Sequence, residues 1–367
     1  MSFLEEGEIR RRLERHAAWH RCELTDGPLV LMTSPADNQA AKQLAAKHAP
    51  PEDAEGLRTW WTDPQTVVGR FAEQTELTNF YGDAWPSHFV DVGPDVGACC
   101  VGSRSTLRPA TIWQEPLIEN WSTMPPLVLH EDSFMWRACQ AITQASVSAA
   151  AGRWVTTLTD IGGPMDTLAC LRTAEKLCFD LIEHPAEVQQ AQSALLKVWL
   201  QVYERLVPLV RARWGGTCGW NGLWHTGRSY ITQCDFSCLI RREMFREFVL
   251  PNLQEQAASL DVTVYHLDGP GAIRHLDDLL TIPNLRAVQW IPGDGQSYDV
   301  SAWLDLYRKI LDGDRGIQMH CPRPEELDLI FDKLDPDRIA VWLGTGGDAE
   351  KTMARVERLR AKRKRPR

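Results

Sequence analysis

Positive charge is in short supply in this chain. Lys and Arg number 40 against 49 Asp and Glu, for a formal net charge of −9 over 367 residues. Phosphate-rich partners are held by clustered cations, so a nucleic-acid partner is not expected. The one basic cluster, RLRAKRKRPR, ends the chain and reads over residues 360–367 as a solvated tail. No apolar run approaches the ~18 residues needed to cross a bilayer. The opening MSFLEEGEIRRRLERH is charged from its fifth residue and lacks the apolar stretch of a secretory signal, so no membrane partner is expected either. Ten cysteines are scattered along the chain, with Cys99 and Cys100 adjacent, which suits reduced thiols in a cytoplasmic setting better than a disulfide framework. Neither G-x-G-x-x-G nor G-x-x-x-x-G-K-[ST] occurs, which removes the glycine fingerprints of dinucleotide and nucleotide binding. With no internal repeat and no low-complexity linker, one domain over residues 1–367 is the economical reading, and 44% hydrophobic residues can supply its core.

What is present is a rhythm. From residue 150 onward, short β-type runs alternate with longer helical ones: WVTTLTD, YITQCDF, TVYHLD, AVQWIPG, GIQMHC and IAVWLG each precede a stretch with helical spacing. PLVLM at 28–32 supplies a first strand, and another is expected between Phe89 and Ile112. Eight such units predict an α/β fold of the (β/α)8 TIM barrel type rather than an open Rossmann sheet. Residues 80–130, rich in Trp, Pro and Gly, break the rhythm and are expected to form an irregular insertion over the barrel mouth.

In such a barrel the active site lies where the strands end, so polar strand-end residues become candidates. These are Asp160, Asp235, His266, Asp268, Gln289 or Trp290, and His320 or Cys321. Buried carboxylates cost several kcal/mol unless paired, and their accumulation calls for partners or a ligand. In HLD the strand period of two puts His266 and Asp268 on one face, a spacing that suits a divalent metal, zinc first, or a proton; the two side chains also suffice to bond each other and the GPG turn. In GIQMHCP, alternation turns His320 inward, while Cys321 is either a buried structural thiol or a thiolate ligand swung toward the pocket. Candidate metal ligands are therefore His266, Asp268, His320 and Cys321. Gln233, Gln289, Trp290 and Trp220 are candidate substrate contacts, with Trp290 as a pocket wall. His275 and Asp277, on the helix IRHLDDLL, are expected to face solvent.

The runs QCDFSCLIRREMFREFVLP and VYHLDGPGAIRHLDDLLTIPNLRAVQWIPGDG resemble the uroporphyrinogen decarboxylase-like superfamily, in its branch near the corrinoid-dependent methyltransferases. The resemblance extends from WHRCELTDGPLV through TDIGGPMDTLACLR to the end of the chain. It implies a (β/α)8 barrel with a deep pocket at the C-terminal mouth. In the methyltransferase members a His-x-Cys pair and a later Cys bind zinc beside a corrinoid carried by a partner protein. Here the pair reads His266-Leu267-Asp268, and LGTGG at 343–347 stands where the later Cys is expected. Carboxylate for thiolate permits zinc but hardens the site toward other divalent ions. Uroporphyrinogen decarboxylases also carry an arginine-rich stretch after the first strand; MTSPADNQAAKQ stands there instead, which argues against a substrate bristling with carboxylates.

Three functions follow as expectations. The first is a methyltransferase-like enzyme acting on a small molecule, metal-assisted and corrinoid-linked, with His266, Asp268, Asp235 and Asp160 as its catalytic residues. The second is a metal-independent decarboxylase or other lyase on the same barrel. The third is a non-catalytic small-molecule-binding homologue.

Overall fold

The computed structural model describes residues 3–363. Its central sheet has seven strands in the order β2-β1-β11-β10-β9-β8-β7. These are β1 (Leu29–Pro35), β2 (Thr78–Gly82), β7 (Ser229–Gln233), β8 (Val262–Asp268), β9 (Leu285–Ile291), β10 (Gly316–Cys321) and β11 (Ile339–Leu343). Every neighbouring pair is parallel except β2, which runs antiparallel along the edge of β1. A separate parallel pair joins β3 (Ser87–Phe89) to β6 (Val155–Thr157), and β4 (Ser105–Leu107) and β5 (Ile112–Gln114) form a small hairpin.

Alternation along the strands sorts two apolar faces. Tyr265, Leu267, Val288, Trp290, Ile317 and Met319 pack against the helices in the main core. Leu29, Leu31, Ile231, Val264, Ala287 and Ala340 face the other way, into a smaller cluster closed by Trp19 and Leu223. Both faces of the sheet are therefore buried, which is why its strands read as nearly continuous hydrophobic runs.

The ladder does not close into a ring among the described residues. Where β6 should meet β7, another segment intervenes. The long helix Pro185–Trp214 starts with proline in its first turn and buries Val188, Ala191, Leu195, Val198 and Val202 at helical spacing. It stops at Gly215, whose φ of +79° is open to glycine and whose N–H bonds Arg211 O at 2.9 Å. The chain then folds into a hairpin pinned by the Thr217–His225 bridge. Leu158 N–H donates to Cys218 O at 2.9 Å and Ser229 N–H to Thr217 Oγ1 at 2.7 Å, so this hairpin takes backbone bonds that a β6–β7 ladder would have used. Its tip carries Leu223 into the inner cluster.

Two boundaries differ from the sequence reading. The strand expected between Phe89 and Ile112 ends at Phe89, and the residues after it form the short helix Val96–Cys100 and the β4–β5 hairpin. The start of that helix is tied to the strand-end side of β6, with Val96 N–H on Asp160 O and Gly97 N–H on Ile161 O, both at 3.1 Å. The basic run is not all tail: the last helix, Ala349–Arg363, reaches into it as far as Arg363, with Arg360 donating to Pro28 O at 2.8 Å and Arg363 paired to Asp337. Residues 364–367 lie outside the described residues. No described helix is long and apolar enough to cross a membrane.

Candidate functional site

Strand β8 ends in His266-Leu267-Asp268. Leu267 joins the helix-facing core, which leaves His266 and Asp268 on the opposite, inner face. Asp235, the first residue after β7 and Cys234, arrives beside them on a short 3-10 turn, Asp235–Leu239. Ligand-capable atoms of Asp235, His266 and Asp268 all lie within 4.8 Å of one another. His266 Nε2 stands 3.8 Å from Asp235 Oδ1; the Asp235 side chain is half exposed and the imidazole nearly buried. The turn that follows begins at Gly269 with φ +73°, and a Cβ built at Gly293 would come 3.9 Å from Asp268 Oδ1, so glycines on both sides leave Asp268 uncrowded.

The orientation of His266 follows from a chain of amides. Gln318 Nε2 donates to the backbone carbonyl of Asn221 at 2.6 Å, and only the NH2 end of an amide can do so. Its Oε1 therefore faces Gln289 and accepts from Gln289 Nε2 at 3.1 Å. Gln289 Oε1, left to face His266, accepts from His266 Nδ1 at 2.6 Å. Nδ1 must carry the proton, so in the neutral ring Nε2 presents a lone pair toward the two carboxylates. This is the tautomer that a metal ligand or a general base requires, and a partner on the other ring nitrogen is how proteins set it. Trp220, from the intruding hairpin, meets the imidazole edge-on with ring centroids 4.9 Å apart. The same hairpin thus supplies both the aromatic neighbour and the carbonyl that starts the amide chain.

Around this centre more acids gather than the sequence reading named. Asp160 accepts from Gly162 N–H at 2.9 Å, and Asp166 accepts from Phe236 N–H at 2.9 Å. Asp95, in the left-handed region at φ +54°, takes a contact of 3.4 Å from the Cys170 thiol. Burial pushes the Asp95, Asp160 and Asp166 carboxyls up from the usual range; Asp160 adds to the effect on Asp95, and Asp235 adds to it on all three. Asp235 is itself raised, burial and Asp268 outweighing the pull of His266. Asp95 and Asp166 were missed because neither ends a strand. The double glycine in DIGGP was the available signal, since missing side chains there let other groups approach.

The remaining candidates divide by face. Gln233 and Gln289 sit inward in register with His266. Trp290 pairs in register with Leu267 and packs outward on Trp303, 4.8 Å between centroids, so it walls no inner pocket. Cys321 likewise faces the helix side, its thiol on Arg323 O and pushed up to about 12 by burial, a neutral thiol and no ligand to the triad. His320 is inward but two strands away, held between Trp342 at 4.6 Å and Tyr298 at 5.6 Å, and the structure does not bring it to the ligand group. His275 does not face solvent: it is buried, stacked on Phe245 at 4.3 Å and bonded to Ser237 O. Asp277 is the exposed one, paired with Lys309 and Arg242.

No protein-family model and no curated protein sequence matches the chain. Among solved structures it is similar to a methyltransferase from Methanosarcina mazei, with a TM-score of 0.60 over 96% of this chain and 98% of that one, at 12% sequence identity. At that identity the likeness is one of fold.

Proposed function

We propose that the protein is a methyltransferase-like enzyme acting on a small molecule, with a divalent cation held by His266 Nε2 and the carboxylates of Asp235 and Asp268. One observation carries the reading: the amide chain from Asn221 puts a proton on Nδ1, so that in the neutral ring Nε2 turns a lone pair toward two carboxylates, with ligand atoms of all three residues within 4.8 Å of one another. One imidazole and two carboxylates suit zinc and accept harder divalent ions too. When bound, such an ion supplies Lewis-acid chemistry to the methyl-accepting group. The chain's own residues do the rest. Gln289 fixes the ring, Trp220 shields one edge of it, and half-exposed Asp235 stands on the side from which a substrate enters. We read the six parallel strands of the sheet and the β3–β6 pair together as the eight strands of one barrel, with antiparallel β2 outside it, the architecture that the resemblance to uroporphyrinogen decarboxylase-like proteins implies.

Protein purified without chelator or histidine tag is expected to carry a stoichiometric divalent ion by elemental analysis, and His266→Ala to carry none. Equal absence of metal from both removes the metal from the reading. A metal-independent lyase, with His266 and Asp268 moving protons, is then favoured, since the neighbouring carboxyls are held toward their protonated forms. A pH-rate profile that shifts on removal of either residue, unaffected by chelator, distinguishes it.

A further inference from the structure

Buried carboxylates elsewhere in this chain have cations: Asp83 has Arg15 and Arg360, Asp180 has Arg172, and Asp278 has Arg242 and Arg246. At the strand ends this rule fails. Among the described residues no Lys or Arg pairs with Asp95, Asp160, Asp166, Asp235 or Asp268, and the one group there able to become a cation is the His266 ring, 3.8 Å from Asp235.

A second observation is independent of the acids. Gln233 is 7% exposed and points inward in register with His266. Its amide reaches Asp160, yet its Oε1 meets no donor. An amide oxygen does not gain a proton on burial as a carboxylate does, so this acceptor is left in need of an N–H donor. Two more buried oxygens nearby are equally unpartnered, Asp95 Oδ1 and Asp166 Oδ2. The backbone makes room for them to converge. A Cβ at Gly162 would lie 2.1 Å from Asp95 Oδ1, and one at Gly163 would lie 2.4 Å from Gln233 O and 3.4 Å from Asp166 Oδ2.

A second metal ion does not account for this recess. Outside Asp235, His266 and Asp268, the described residues offer no set of three His, Cys, Asp or Glu side chains close enough to share an ion. Acceptors spread over the loop before Val96, the first turn of the helix Pro164–Arg172 and the end of β7 suit a molecular cation with several donors instead.

We infer that the recess formed by Asp95, Asp166 and Gln233 binds a protonated amine, so that the substrate is a small organic cation carrying an ammonium group. This rests on the reading of the strand-end mouth as an active site, and its test is separable from the metal. Isopropylammonium, isopropanol and isobutyrate share one carbon skeleton and differ in charge. At pH 8 and matched ionic strength, isopropylammonium is expected to raise the thermal midpoint of the full-length protein saturably, and the other two are not. Asp95→Asn and Asp166→Asn, which keep shape and the Phe236 contact, are each expected to weaken that binding by about tenfold or more, as loss of a charge-assisted bond does. Their bound metal, measured in parallel, is expected to stay at the wild-type level. Equal responses to isopropylammonium and isopropanol in the wild type overturn the inference, and so does unchanged affinity in both variants. Wild-type protein that binds isopropylammonium but carries no metal supports the recess while the metal reading falls.

Discussion

The two ends of the sheet solve the same problem in opposite ways. At the N-terminal floor, buried charged groups are matched, and the unpartnered polar atoms are neutral ring nitrogens such as those of Trp19 and His20 and the Nε of Arg360, whose Nη2 is bonded. His16 donates through Nε2 to Asp83 O at 3.0 Å and accepts through Nδ1 from Trp224 N–H at 3.3 Å. Arg286 donates to the carbonyls of His20 and Trp19, each at 2.8 Å, and Asp83 takes Arg15, Arg360 and Val30 N–H. At the C-terminal mouth, carboxylates crowd together with no Lys or Arg and several acceptors lack donors. A floor whose carboxylate is paired with cations of the chain serves stability; a mouth whose carboxylates have no Lys or Arg is waiting for something the chain does not contain.

Breaking a matched group should therefore cost most. Asp83→Ala takes the buried carboxylate from two guanidiniums, leaving Arg15 only Asp26 and Arg360 chiefly Pro28 O, and strips a strand N–H of its acceptor in a site where Asp83 is 3% exposed. It is expected to lower unfolding free energy by about 3–5 kcal/mol in urea titrations, the range for stranding a buried charge. Asp83→Asn keeps an acceptor for Val30 and should recover part of the loss. A loss of under ~1 kcal/mol for Asp83→Ala, the range of exposed pairs, would erase the contrast between floor and mouth.

At the mouth the expected effect is on binding rather than folding. Gln318→Leu cuts the amide chain between Asn221 and Gln289, freeing Gln289 to rotate and His266 to change tautomer. Metal affinity is expected to fall by about 10- to 100-fold, the usual penalty for losing an outer partner of a histidine ligand. Competition with a metal-binding dye reads this directly. Unchanged affinity would mean that the amide chain does not set the His266 proton.

Much of this fold was legible because both faces of the sheet are buried. That produces compact β-type runs such as TVYHLD and GIQMHC, and the six strand–helix units after residue 150 stand where the alternation put them. The intruding hairpin was illegible, since GGTCGWNGLWHTG has no period and its partners lie on distant strands. Trp290 was misplaced because its face depends on register: opposite Leu267 it points outward, and register is not written in either strand alone. His275 was misplaced because Pro270–His275 is a 3-10 turn, which advances each residue by more than an α-helix does and shifts the buried face before Leu276. At the site, HLD was readable from strand period, whereas Asp95 and Asp166 come from a loop and a helix that only tertiary packing delivers.

The finest test of the contrast is pH, because the two ends titrate with opposite sign. At the mouth, Asp95, Asp160 and Asp166 have carboxyls raised by burial and by neighbouring carboxylates, Asp235 among them in every case, so the folded state holds protons that the unfolded chain has released. That stability is fully present below the ordinary carboxylate range and is lost as pH rises through the raised values. At the floor, burial lowers His16 to about 4 and His20 well below 6.5, so there the unfolded chain binds the extra protons as pH falls from 6.5, and stability is lost toward acid. Each unmatched proton contributes about 1.4 kcal/mol per pH unit at most. Ligand-free protein should therefore be most stable on the acid side of neutrality and decline in both directions, as read from urea midpoints across the pH range. Asp95→Asn should flatten the alkaline decline and His20→Phe the acid one, each leaving the other limb in place. If one substitution flattened both limbs, the two ends would be coupled, and the floor could not be treated as a scaffold independent of the mouth it supports.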